Sequence, residues 1–227
     1  NVSLECETKD KDRPIHLACK NNNTDIVKYL IDKNVSLECE TLCKHRPIHI
    51  ACRNSNIEIF KYLMDKNVNI ECEIFPRMKP IHIVCRNGNI EMFKYLMDKN
   101  VNLECGTIDH ETPIHIACEN NYTDIVKDLI DKNVDLECED GYKIVSFKKG
   151  EATYKWRPIH YISKFGDINT IMYLIDHGVN LDSKAESIHC DISTKYTPIE
   201  LLQFNEKLSN DEKQQLTQYM TNKILKV

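Results

Sequence analysis

Four His-x-x-Cys pairs recur along the chain, and each could place two metal ligands on one face of a helix. The pairs are His16/Cys19, His49/Cys52, His82/Cys85 and His115/Cys118, at intervals of 33 residues. A structural zinc site needs four ligands that converge on one point. A residue that recurs once per repeat has a packing role in the repeat unit. We therefore expect buried thiols and histidines that orient each unit, and no metal site.

A second chemical candidate is Cys43 with His45, which could be imagined as a nucleophile and its base. Both residues fall in a turn, where nothing in the sequence fixes their geometry, so we do not favour this interpretation. The chain also lacks a glycine-rich phosphate loop, a Ser-His-Asp series and a pair of carboxylates suited to a catalytic cleft. The sequence therefore predicts a protein that is not an enzyme and needs no cofactor.

Composition narrows the possible partners. The chain has 227 residues and a net charge of -5, with an isoelectric point near 6.0, which argues against binding to nucleic acid backbones. No apolar run approaches the roughly 18 residues of a membrane span, and the first residues are polar, so we expect no direct membrane insertion and no signal peptide. Because most cysteines follow the repeat, we expect reduced thiols and an intracellular, cytoplasmic location.

The same period governs the elements around these residues. Arg-Pro-Ile-His at 13–16 and 46–49 is followed by similar motifs at 79–82, 112–115 and 157–160, and by Thr-Pro-Ile-Glu at 197–200. Proline favours the first position of a helix, and segments such as 25–32 place apolar residues at helical spacing. Left-handed residues should end the two helices of each unit. We predict these at Asn22, Asn34, Ser55, Asn67, Gly88, Asn100, Asn121, Asn133, Gly166 and Gly178.

A unit that reads Pro-Ile-His-Leu-Ala-Cys, then Asp-Ile-Val-Lys-Tyr-Leu-Ile, then Asn-Val resembles the ankyrin repeat. The resemblance covers nearly the whole chain, in five full units and a degenerate sixth. It implies an all-α solenoid of stacked helix-turn-helix units with short projecting β-hairpins.

Three departures from the family pattern stand out. The threonine before proline is Arg13, Arg46, Lys79 or Arg157, which removes a hydroxyl that usually bonds the motif histidine. The small residue of the first helix becomes Val84 and Ile162, which could splay those helix pairs. Glutamate replaces the asparagine that follows the second helix, a known modification site in the family.

We predict one array over residues 1–227. It comprises the tail of a partial repeat and a turn at 1–13, repeats that start near 14, 47, 80, 113 and 158, and a C-terminal cap at 197–227. The longer gap before Pro158 holds two β-prone runs around Lys149-Gly150, which predict an elongated hairpin over 140–157. A second insertion around 183–195 is polar and allows no prediction. Because the chain opens on the tail of a repeat, we expect it to be a fragment of a longer array.

The resemblance implies a non-catalytic protein–protein interaction module. Its partner would dock on the concave face that hairpin tips and first helices form, with the chain itself a monomer. Apolar residues at turn tips are unusual, although Ile74 and Ile108 could instead fold back onto a neighbouring hairpin. The alternative function is a spacer or regulatory array in a larger protein whose activity lies elsewhere. The predicted partner-binding residues are Leu42, His45, Arg53, Phe75, Met78, Arg86, Ile108, Asp109, Glu111, Tyr154, Trp156 and Phe165.

Overall fold

The computed structural model describes residues 3–141, 145–147, 150–189 and 192–225, without the side chains of 145–154 and 186–194. The chain divides into two compact units, Asn1–Asn102 and Leu103–Val227, and each is described by itself.

The first unit consists of helix pairs joined by extended segments and tight turns. Within each pair, the first helix begins at a proline and the second carries most of the large apolar side chains. Its helices are α1 (Pro14–Lys20), α2 (Thr24–Asp32), α3 (Pro47–Arg53), α4 (Ile57–Met64), α5 (Pro80–Asn87) and α6 (Ile90–Met97).

The second unit continues the helix pairs and adds strands. Its helices are α7 (Pro113–Glu119), α8 (Thr123–Asp131), α9 (Pro158–Phe165), α10 (Ile168–Asp176), α11 (Pro198–Leu202) and α12 (Asn210–Ile224). The strands β1 (Val145–Phe147), β2 (Gly150–Lys155), β3 (Ala185–His189) and β4 (Ile192–Tyr196) form one antiparallel sheet in the order β1-β2-β3-β4. Sequence reasoning missed β3 and β4, because the polar residues of that insertion show no alternation.

A histidine in the first turn holds the start of α1, α3, α5, α7 and α9, whereas Glu200 takes its place in α11. At α3, the Arg46 backbone N–H donates to His49 Nδ1 at 3.1 Å, and His49 Nε2 donates to the Cys72 carbonyl at 3.2 Å. Among the described helices, a threonine hydroxyl also reaches the ring only at α7, where Thr112 Oγ1 lies 2.9 Å from His115 Nδ1. The backbone N–H therefore still bonds the imidazole where arginine or lysine replaces threonine.

The basic residue before proline has a different partner, the glutamate that replaces the family's asparagine. Arg46 lies 2.5 Å from Glu38, whose other carboxylate oxygen accepts the Asn69 N–H at 2.8 Å. The same arrangement recurs with Arg157, Glu137 and the Asn180 N–H. Each such glutamate thus links its own hairpin to the extended segment of the next repeat, and the two departures from the family pattern compensate each other.

Nine of the ten predicted left-handed helix stops are confirmed, with φ between 53° at Asn22 and 81° at Gly178. The prediction for Gly166 is wrong, since its φ and ψ are -84° and 168°. Glycine is required at position 166 because a side chain would not fit there, and not because the backbone is left-handed. A Cβ at Gly166 would lie 2.5 Å from both Cγ1 and the carbonyl oxygen of Ile162, the larger residue that replaces the small one of other repeats.

This close approach makes Gly166 a sensitive position. We expect Gly166→Ala to lower the free energy of unfolding by roughly 1–3 kcal/mol, the usual cost of overpacking, because a backbone oxygen cannot rotate away. Gly178→Asn is the matched control, since nothing lies within 4 Å of its Cβ position and asparagine adopts this conformation elsewhere in the chain. Chemical denaturation of both variants checks this, and equal losses would contradict the steric explanation.

Candidate functional site

The turns between repeats share one frame. The Thr41 N–H donates to the His45 carbonyl at 3.0 Å, and Thr41 Oγ1 accepts the His45 N–H at 3.1 Å. Thr8 with Asp12, and Thr107 with Glu111, repeat both bonds. Three residues therefore lie at each tip, and the last of them has positive φ at Lys11, Lys44, Arg77 and His110.

Apolar side chains at three of these tips face solvent. Phe75 is 84% exposed, Leu42 61% and Ile108 53%. Ile74 is buried instead, because it occupies the threonine position at the base of its turn, where its N–H donates to the Met78 carbonyl at 2.9 Å. The alternative of folding back thus holds for Ile74 and not for Ile108.

The expectation that Met78, Glu111 and Trp156 are available on the surface is wrong, since all three are buried. Each lies two residues before the repeat's proline, at the base of the turn and beneath the end of the following first helix. At Met78 and Trp156, the basic residue eight positions later contacts this buried side chain. Arg86 Nη1 lies 3.2 Å from Met78 Sδ, and Lys164 Nζ lies 5.2 Å from the Trp156 ring centroid.

Contacts between residues eight positions apart also occur in the two preceding repeats, where they involve Lys20 and the predicted Arg53. Arg53 Nη2 donates to His45 Nε2 at 2.6 Å, and Lys20 forms an ion pair of 2.6 Å with Asp12. His45 Nε2 must therefore be an unprotonated acceptor, because a guanidinium can only donate. Burial, and next the charge of Arg53, lower the pKa of His45. Arg53 and Arg86 themselves remain exposed.

In the second unit, a buried carboxylate that sequence reasoning missed organises the long turn. Asp140 occupies the position of Thr8, Thr41 and Thr107, and its Oδ1 accepts the Trp156 N–H at 2.5 Å. Its Oδ2 accepts the Tyr161 hydroxyl, while the Asp140 N–H donates to the Trp156 carbonyl at 3.0 Å. The inserted residues thus extend from the tip of a turn whose base is ordinary. Alignment on Pro158 would have placed Trp156 at the same repeat position as Met78 and Glu111, two residues before the proline.

Other predicted residues of the second unit lie around this turn. The Asp109 carbonyl accepts the Gly141 N–H at 2.5 Å, and its side chain is half-buried. Phe165 is also half-buried, with Lys164 Nζ 5.1 Å from its ring centroid. Tyr154 pairs with Ser187 in the sheet, while its side chain is outside the described residues.

Residues 1–74 and 70–140, together more than half of the chain, match the family model for ankyrin repeats in three copies. The chain belongs to the ankyrin-repeat family. Its fold is an ankyrin-repeat solenoid, and it is similar to the crystal structure of the human ASB11 ankyrin repeat domain, with a TM-score of 0.72 and 18% identity over 98% of this chain and 88% of that one. No curated protein sequence matches it. Ankyrin repeats are generally protein–protein interaction modules and are typically non-catalytic.

The histidines and cysteines of these ankyrin repeats form packing contacts. The thiol near His49 is that of Cys72, with Sγ 3.4 Å from Nε2, and Cys39 is placed in the same way beside His16. Burial raises the pKa of the Cys39 and Cys72 thiols to about 11, which disfavours the thiolate that a metal requires. In the part of the chain that the structure describes, no three acidic, histidine or cysteine side chains are grouped to hold a metal ion.

One ankyrin repeat replaces both of its cysteines by serine and keeps the same arrangement. Ser163 occupies the position of Cys19, and Ser183 that of Cys39. Ser183 Oγ lies 3.3 Å from His160 Nε2 and donates to the Asn180 carbonyl at 2.7 Å. Serine is a poor zinc ligand, so hydrogen bonding accounts for the residue type at Ser183 and burial for that at Ser163, whose Oγ has no hydrogen-bond partner among the described residues.

The remaining chemical candidate, Cys43 with His45, gains no support from the geometry. Cys43 is exposed at its hairpin tip, and His45 Nε2 already accepts a hydrogen bond from Arg53. That nitrogen is therefore not available to take a proton from a thiol.

Among the described helices, none is both long enough and apolar enough to cross a membrane.

Proposed function

We propose that the chain is a non-catalytic interaction module that binds a protein partner through the concave face formed by its hairpin tips and first helices. The observation that carries the proposal is the exposure of Phe75 and Leu42 on successive tips of the first unit. Turn tips are normally polar, and an exposed aromatic ring is a typical interface anchor. Arg53 and Arg86, exposed beside these tips, supply the second residue type that is enriched at interface centres.

The contacts we propose in the first unit are Leu42, His45, Arg53, Phe75 and Arg86. Met78 is buried in contact with Arg86, so it is not a proposed contact with the partner. Glu111 and Trp156 are also buried and are not proposed contacts. In the second unit, Ile108, Asp109, Tyr154 and Phe165 remain proposed contacts.

We further propose that the module acts in the cytoplasm as a monomer and does not bind nucleic acid. The ten cysteines that the structure describes are all free thiols, which suits a reducing compartment. The net charge of -5 disfavours contact with phosphate backbones.

The test is the affinity of a partner that is first isolated by pull-down and identified by mass spectrometry. We expect Phe75→Ala to weaken binding by at least roughly 1–2 kcal/mol, about 5- to 30-fold, since an exposed ring contributes to an interface and not to the core. Circular dichroism should show unchanged folding.

Lys94→Glu is the control, because Lys94 is exposed on a second helix, away from the hairpin tips. It should bind as the wild type does. If Phe75→Ala leaves binding unchanged while Lys94→Glu abolishes it, the concave face is not the docking surface. A spacer array would yield no specific partner at all.

A further inference from the structure

The first unit contains a cavity of about 360 Å³ on the side of the hairpin tips, between two successive turns. Asp10, Asp12 and Lys20 line it from one repeat, and Leu42, His45 and Arg53 from the next. Its volume falls within the range of small-ligand sites. We call it the Asp12 cavity.

Asp12 is the unusual member of this lining. Its side chain is only 8% exposed, and Oδ2 is bound to Lys20 at 2.6 Å. Its other oxygen, Oδ1, is fully buried and has no hydrogen-bond partner among the described residues. A buried carboxylate oxygen without a donor is unfavourable. The free protein therefore carries an unfavourable desolvation energy at Oδ1. A ligand that donates an N–H to this oxygen would remove that energy, which would strengthen its binding.

The charges around the cavity select the kind of donor. Two acidic residues, Asp10 and Asp12, face two basic ones, Lys20 and Arg53, so the lining is balanced. A balanced lining favours neither a cation nor an anion as the ligand.

A neutral group that both donates and accepts satisfies these conditions. Lys20 uses its ammonium group on Asp12, and Arg53 uses one nitrogen on His45, so both keep N–H groups to offer at the rim. An amide N–H can donate to Asp12 while its carbonyl accepts from Lys20 or Arg53. Because Oδ1 is closed to solvent, the ligand reaches it only if a side chain of the lining shifts. We expect that side chain to be Lys20, which is 47% exposed and is bound to the other oxygen of the same carboxylate.

We propose that the Asp12 cavity binds the carboxamide of an asparagine or glutamine side chain from the protein partner, with a neighbouring apolar residue on the exposed Leu42. This rests on the proposed function, because the carboxamide belongs to the docked protein. It adds a chemical requirement for the partner that the exposed tips alone do not set.

The test uses four capped peptides, acetyl-Ala-Leu-Xaa-Ala-dimethylamide, in which Xaa is Gln, Glu, Arg or norleucine, so that only the Gln peptide carries a primary carboxamide. Each is titrated into the full chain, and binding is read from the backbone amide NMR signals of Asp12, Leu42 and His45. We expect the Gln peptide to bind at least about tenfold more tightly than the norleucine peptide, since a site built for a hydrogen bond rejects the analogue that lacks it. Equal binding of these two, or tightest binding of the Arg or Glu peptide, would overturn the proposal.

Asp12→Ala and its matched control Asp25→Ala assign the preference to one carboxylate. Asp25 is an exposed aspartate of α2 in the same repeat and does not line the Asp12 cavity. The preference for Gln over norleucine should disappear in Asp12→Ala and persist in Asp25→Ala, and its persistence in both variants would refute the role of Asp12. If Asp12→Ala does not fold, the four peptides on the wild-type chain still decide the question.

These results separate this inference from the function itself. A Gln peptide that fails to bind the cavity, together with loss of partner binding in Phe75→Ala, would leave the interaction module in place and remove only the carboxamide site. Gln-selective binding, together with partner binding that Phe75→Ala leaves unchanged and Lys94→Glu abolishes, would keep the carboxamide site and reject the concave face as the docking surface.

Discussion

Leu96→Ala is expected to lower the free energy of unfolding by roughly 2–5 kcal/mol, the usual cost of truncating a buried leucine. Leu96 is fully buried in α6, as is the equivalent Leu63 in α4. In a repeat array each unit contacts only its neighbours, so a cavity in a central helix weakens the packing on both sides. Urea denaturation followed by circular dichroism measures the loss.

Leu42→Ala is the control for this experiment, because it makes the same substitution at a side chain that is 61% exposed. It should change the free energy of unfolding by about 0.5 kcal/mol or less, the normal range for a surface position. A loss below about half a kcal/mol for Leu96→Ala as well would mean that the second helices do not form the core.

The helices were predictable because the same residue types mark the helix ends in successive repeats. A single proline favours a helix start, as at Pro47 and Pro80, and a single asparagine with positive φ favours a helix end, as at Asn67 and Asn100. Gly166 shows the limit of such reasoning. Glycine serves either a left-handed backbone or close packing, and only the position of Ile162 in space decides between them.

The candidate site was less predictable, because burial at a turn depends on whether a residue lies at its tip or at its base. Phe75 and Met78 look alike in sequence, as apolar residues in one turn, yet Phe75 is 84% exposed and Met78 7%. Phe75 lies at the tip of the turn, whereas Met78 lies at its base, paired with Ile74 and in contact with Arg86. Comparison of the 33-residue columns would have shown that the residue two before proline belongs to the base of the turn.

The unmatched oxygen of Asp12 could not have been predicted. Lys20, eight residues on, suggests a complete ion pair, but the structure shows that only one carboxylate oxygen is used. How a charge is shared between two oxygens depends on the local geometry of the turn and helix, which no sequence pattern encodes.

The buried histidines should make the protein sensitive to mild acid. At His49, His115 and His160, Nδ1 accepts a backbone N–H and Nε2 donates to a carbonyl. This arrangement fits only the neutral ring, since a proton on Nδ1 would face another donor. Burial accordingly lowers the pKa of His49, His115 and His160 to about 4.

The sign of the effect follows from proton uptake by the unfolded chain. An unfolded histidine takes up a proton near pH 6.5, whereas these three stay neutral when folded until about pH 4. The free energy of unfolding should therefore be highest above pH 6.5 and fall as the pH drops towards 4. Each of the three should contribute a loss of roughly 1–2 kcal/mol between pH 7 and pH 5.

Urea denaturation at pH 7, 6 and 5, at constant ionic strength, measures this dependence. His160→Gln should be less stable than the wild type at pH 7, because two hydrogen bonds are disturbed, but its stability should fall less steeply between pH 6 and pH 5. Removal of one buried histidine removes one proton from the difference between the unfolded and folded states, about 1 kcal/mol per pH unit in this range. A wild-type stability that is constant from pH 7 to pH 5 would show that the folded histidines can accept protons, and the bonds to both ring nitrogens would then be wrongly assigned.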